Sequence, residues 1–90
     1  MADFQKVVYT HHAREKFDLL ARYGFPIAEK QVEETIRAPA LVTVQSDDKL
    51  IAQKAISEQH VLRVVYRVEG EAAIVITLYP AQRRRYETEL

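Results

Sequence analysis

A chain of 90 residues with 13 basic and 13 acidic side chains and no cysteine excludes several classes at once. It is long enough for one modest core, it has no disulfide framework or thiolate metal site, and its zero formal charge is unlike that of proteins that coat nucleic acid. Its 48% apolar and 29% charged content is that of a soluble globular chain, and no apolar run approaches the ~20 residues of a membrane span.

The N-terminal M-A-D-F-Q-K lacks the apolar centre of a signal peptide. The expectation is therefore one domain over residues 1–90, cytoplasmic, with no membrane partner and no cofactor.

In chain order, residues 6–9 read as a short strand. Thr10 is an N-cap candidate, since its hydroxyl can accept an orphan backbone N–H. A helix over 11–23 follows, with Ala13, Phe17, Leu20 and Ala21 on one stripe. Gly24 suits a left-handed C-cap. A second helix, 28–38, has Val32 and Ile36 as its seam and stops before Pro39. The short link predicts an antiparallel helical hairpin.

From Leu41 the period changes to that of strands, 41–45, 50–57, 61–68 and 72–79, with turn residues at 46–49. Helices followed by a meander predict an α+β fold: an N-terminal two-helix hairpin packed on a three- to four-stranded antiparallel β-sheet.

The last hairpin carries the clearest chemical pattern. A three-residue loop, 68–70, with Gly70 left-handed, pairs Arg67 with Glu71, Val65 with Ala73 and Arg63 with Val75. One face is then Leu62, Val64, Tyr66, Ala72, Ile74, Ile76 and Leu78, which takes the helices. The other carries Val61, Arg63, Val65, Arg67, Ala73, Val75, Thr77 and Tyr79. A two-residue loop is disfavoured in this reading because it mixes arginines with the isoleucine row.

Three clusters can carry chemistry. In T-H-H-A-R-E-K, residues 10–16, His12 falls at the edge of the apolar stripe one turn before Lys16. A half-buried histidine there suits a general acid or base; the bland alternative is a residue packing at the core boundary. Arg63, Arg67, Thr77 and Tyr79 share a sheet face, and arginine's planar fork matches phosphate; the alternative is arginine stems covering valines. Arg83, Arg84 and Arg85, closed by Tyr86, suit an RNA backbone or an acidic partner, against a solvated charge run diluted by Glu87 and Glu89. His11, His12 and His60 offer no metal-ligand spacing, so no metal is expected.

The T-x-H-A-x-x-K pattern, the L-R-V-V strand, the V-I-T-L-Y strand and the closing Tyr86 together resemble a widespread family of small prokaryotic proteins. That family looks related to the RelE-like toxins and to the wider barnase-, EndoU-, colicin- and RelE-like ribonucleases. The resemblance covers almost the whole chain. It implies a RelE-like fold and the toxin half of a toxin–antitoxin pair, cutting RNA without a metal. His12 would act as base or acid, and Arg63 and Arg67 would hold phosphate. Thr77 would orient it, and Tyr79 or Tyr86 would stack a base or protonate the leaving oxygen.

RNA, an antitoxin and a second copy of the chain are the implied partners. The chain departs from the pattern at Ala28, where a capping serine or threonine is usual, at Pro80, directly after Tyr79, and in its neutral charge. The rival reading is a non-catalytic interaction module that uses Val61, Val65, Ala73 and Val75. The enzyme reading requires His12 or a tyrosine within hydrogen-bond reach of a point shared with an arginine. If His12 and Arg63 lie on opposite sides of the sheet, their division of labour fails. A binding module would bury those valines against a second chain.

Overall fold

A computed structural model describes residues 4–84. The elements are β1 (Lys6–Tyr9), α1 (His11–Arg22), α2 (Glu29–Arg37), β2 (Leu41–Ser46), β3 (Lys49–Ala55), β4 (His60–Glu69) and β5 (Ala72–Gln82). The strands form one sheet in the order β1-β5-β4-β3-β2. The α+β class holds, but the sheet is five-stranded and mixed, because β1 pairs in parallel with β5. Local patterning marks β1 as a strand but cannot reveal a partner more than sixty residues away.

Local chemistry sets both ends of α1. The Thr10 hydroxyl accepts the Ala13 N–H at 3.1 Å and donates to the Ile76 carbonyl at 3.1 Å. At the far end Gly24 takes φ +81. The Gly24 N–H reaches the Ala21 carbonyl and the Phe25 N–H reaches that of Leu20, the two bonds of a Schellman motif. At the start of α2, Ala28 has no hydroxyl to cap with; the Gln31 side chain instead accepts the Ala28 N–H at 2.8 Å, one half of a capping box. Arg14 bridges the two helices to Glu29 at 2.6 Å.

Both helices cover one sheet face, α1 over β5 and β1, α2 over β4 and β3. Ala13, Leu20, Val32 and Ile36 meet Ala52, Leu62, Val64, Tyr66, Ala73, Val75 and Leu78 in the core. Full burial of each large aliphatic side chain contributes about 1.5–3 kcal/mol.

The β4–β5 hairpin departs from the expected register. Glu69 pairs with Ala72 across a two-residue turn, with Gly70 at φ +58. Arg67 therefore faces Ile74, and Arg63 faces Tyr79. A bulge then intervenes: Tyr66 pairs with Val75 but Val65 with Thr77, leaving Ile76 as an extra residue. After the bulge Leu78 enters the core as expected, but before it Ala73 and Val75 do so in place of Ala72, Ile74 and Ile76.

The objection to a two-residue turn, buried arginine among isoleucines, is met because Ile74 and Arg67 share the outer face. Arg67 finds Glu69 at 2.6 Å rather than Glu71. Pro80 does not end the strand: it pairs with Leu62, and β1 flanks β5 only along residues 72–75, so the missing N–H breaks no ladder there.

Candidate site on the outer sheet face

The register aligns Gln53, Arg63 and Tyr79 in one row across β3, β4 and β5. Their neighbours Ala52, Leu62, Val64 and Leu78 point into the helix-side core, so by strand alternation the row lies on the opposite face. Arg63 Nε donates to the Tyr79 hydroxyl at 3.0 Å, and its Nη1 donates to Gln53 Oε1. Gln53 is only 2% exposed, while Arg63 and Tyr79 are half-buried. The two bonds fix the plane of the guanidinium. Since the Tyr79 oxygen accepts from Arg63, its own hydrogen is directed to another acceptor.

Thr77 stands one row along, opposite Val65. Its hydroxyl is buried and finds no hydrogen-bond partner. Arg67 lies further along the same face, held by Glu69. The face is not a bare polar surface, since Val61 and Val65 are 0% and 5% exposed within this chain. Ala73 and Val75, assigned to it from the expected register, belong to the core.

His12 is elsewhere. It is exposed rather than half-buried, because the stripe of α1 that meets the sheet runs through Ala13 and Leu20. It borders a cavity lined by Glu15, Lys16, Asp18, Leu19 and Arg22 on the helix side of the sheet. His12 and Arg63 therefore lie on opposite sides of the sheet, and a single centre built from both does not form. Beside it, His11 pairs with Glu15 at 3.1 Å.

The basic run starts at the end of β5. The Arg83 N–H donates to the Gln59 carbonyl at 2.8 Å, and its guanidinium reaches the Ser57 carbonyl at 3.3 Å. Arg84 lines a cavity of about 390 Å³ with Glu58, Gln59, His60 and Gln82. Arg85 and Tyr86 lie outside the described residues.

One participant, Gln53, is absent from the residues that the sequence pattern singles out. Gln53 orients Arg63, and strand alternation opposite Arg63 was the available signal. His60 shares a cavity with an arginine and stacks edge-on against Phe25 at 4.7 Å; its place two residues before Leu62 puts it on the helix side. Among the described residues, no group of three or more histidine or acidic side chains is gathered as metal ligands. No described helix is long and apolar enough to cross a membrane.

The fold, two N-terminal helices on one face of a mostly antiparallel sheet, has a counterpart among solved structures. The crystal structure of BrnT, a ribonuclease toxin of Brucella abortus, superposes with a TM-score of 0.58 over 86% of this chain and 96% of that one. At 20% identity the likeness is one of fold. No family model matches the chain, and no curated protein sequence matches it.

Proposed function

We propose that the protein is a metal-independent endoribonuclease, the toxin of a toxin–antitoxin pair, acting from the outer sheet face. The observation that carries the reading is the Arg63–Tyr79 hydrogen bond at 3.0 Å, on a fold shared with a ribonuclease toxin. In the reaction, the ribose 2′-oxygen loses its proton to water and bonds to the adjacent phosphorus. The P–O5′ bond breaks, leaving a 2′,3′-cyclic phosphate and a 5′-hydroxyl. Arg63 stabilises the charge gathering on the phosphoryl oxygens. Tyr79 gives its proton to the departing 5′-oxygen, while the Thr77 hydroxyl, buried one row along, makes no contact with the phosphate.

Arg67, Arg83, Arg84, Arg85 and Tyr86 engage flanking nucleotides, with a salt dependence that follows from displaced counterions. Lys16 and His12, on the helix side, take no part in the bond-breaking step. An antitoxin protein is the implied regulator.

The test is cleavage of cellular RNA in chelator by the parent, R63A, Y79F and H12A. R63A is expected to lose about 10²-fold or more in rate, as for removal of an oxyanion donor. Y79F is expected to lose at least about tenfold, and H12A to match the parent. RNA profiles from all four proteins equal to a no-protein control would sink the nuclease reading and leave the non-catalytic module.

A further inference from the structure

We propose that β2 pairs with β2 of a second copy of this chain, joining two sheets into one of ten strands. Among the described residues β2 pairs with β3 alone, so its other edge carries open backbone donors and acceptors. Exposed edges are ordinarily blunted by charge, proline or brevity. The opposite edge has such protection: β1 is four residues long and begins with Lys6. The six residues of β2, L-V-T-V-Q-S, include no charge and no proline, and its one bulge, between Val44 and Ser46, lies beyond the Val42–Val44 segment. Val42 and Val44 lie on the helix side, opposite Ala52 and Leu50, but beyond the reach of α2, which covers β3 and β4. They remain 44% and 69% exposed.

The sequence of the strand selects the occupant. A two-fold axis through Thr43 places Thr43 opposite Thr43 of the copy, Val42 opposite Val44 and Val44 opposite Val42. Both exposed valines are then covered twice over, with side chains kept on matching faces. Centring on Val42 or Val44 instead leaves one valine facing Ala40 or Ser46.

The groove beside the start of β2 is lined by Lys30, Arg37 and Lys54 together with Glu33 and Glu34. With the axis at Thr43 the Asp47–Asp48 turn of the copy comes beside this groove, whose three cations outnumber its two carboxylates. This pairing leaves the Arg63–Tyr79 face untouched and is independent of the nuclease reading.

The chain has no native cysteine, so an introduced one reports cleanly. In T43C the two thiols face each other across the axis within disulfide reach, and a linked dimer is the expected main product of mild oxidation. S46C, displaced along the strand, is expected to link far more slowly.

By sedimentation the parent is expected to dimerise weakly, in the micromolar range, as a strand-sized interface below about 1,200 Å² implies. V42K/V44K is expected to weaken dimerisation at least about tenfold, and V42E/V44K to restore it, since opposite charges then face across the axis. Circular dichroism and the urea midpoint check that the variants fold. A parent still monomeric at about 200 μM, including one that instead binds an added extended peptide, overturns the proposal. So does T43C linking no faster than S46C, or a dimer indifferent to V42K/V44K.

Discussion

Thr10 is the residue at which local capping and the sheet register meet, and its removal tests both. Its hydroxyl accepts from the Ala13 N–H and donates to the Ile76 carbonyl, each at 3.1 Å. Loss of an N-cap oxygen costs about 1 kcal/mol. Loss of the second bond costs about another 1 kcal/mol, and more if the Ile76 carbonyl finds no water. Thr10→Ala should therefore destabilise the fold by about 2–3 kcal/mol, a large part of the roughly 5–13 kcal/mol expected for a chain of this size.

Thr10→Ser keeps both bonds and gives up one methyl, for a loss of about 1 kcal/mol at most. Urea unfolding separates the cases: the midpoint should fall by about 2 M in T10A, at unchanged slope, and by well under 1 M in T10S. Equal midpoints for T10A and T10S would refute the argument that the hydroxyl, rather than the backbone or the methyl, holds this junction.

Two further substitutions probe the same architecture. The Tyr9 phenol is pushed up to about 12, chiefly by burial, then by Glu29 and Glu33, with Arg14 opposing. The native state thus keeps its proton where the unfolded chain loses it near pH ~10, so stability should fall as pH rises from about 10 to about 12, by about 1 kcal/mol after allowance for partial exposure. Tyr9→Phe should flatten that alkaline loss in urea midpoints, and at neutral pH should be harmless or slightly stabilising because the hydroxyl is buried without a partner; an unchanged alkaline slope would count against it. At the hairpin turn, Gly70→Ala should cost about 1–2 kcal/mol by thermal unfolding, because φ is +58 although a Cβ would meet no atom, and Gly70→Asn less; a neutral G70A would contradict the turn.

The two helices, though not the expected packing of one against the other as a hairpin, were legible because their signals are local. The Thr10 cap, the Ala13–Leu20 stripe, Gly24 and the stop at Pro39 each act within one or two turns of chain. So was the identity of the outward arginines, since Arg63 and Arg67 alternate with Leu62, Val64 and Tyr66 on one strand. What could not be read was pairing. The parallel partnership of β1 with β5 depends on distant segments, and nothing in V-I-T-L-Y announces that Ile76 will be the extra residue. His12 was misplaced for a related reason. A helical wheel gives its angle from the stripe, but not how deeply the stripe settles on the sheet, where only Ala13 and Leu20 of α1 are buried.

The bulge at Ile76 also explains why an arginine and a tyrosine meet at all. Continued without interruption from the Glu69–Ala72 pair, the register would place Arg63 opposite Leu78 and Leu62 opposite Tyr79. A leucine would then point outward beside the guanidinium, and a tyrosine hydroxyl would enter the core, where burial without a partner is unfavourable. One inserted residue exchanges them: Leu78 is fully buried on the helix side, and Tyr79 turns out to accept from Arg63 Nε. The Val75 and Ile76 carbonyls on the near side of that bulge are taken by the Thr10 backbone N–H and hydroxyl. The threonine that opens α1 thus bears on the outer face through the backbone of β5, while the histidine two residues later stays on the other side of the sheet. The T-x-H-A segment contributes to the candidate site by positioning, and the chemistry proposed there belongs to β4 and β5.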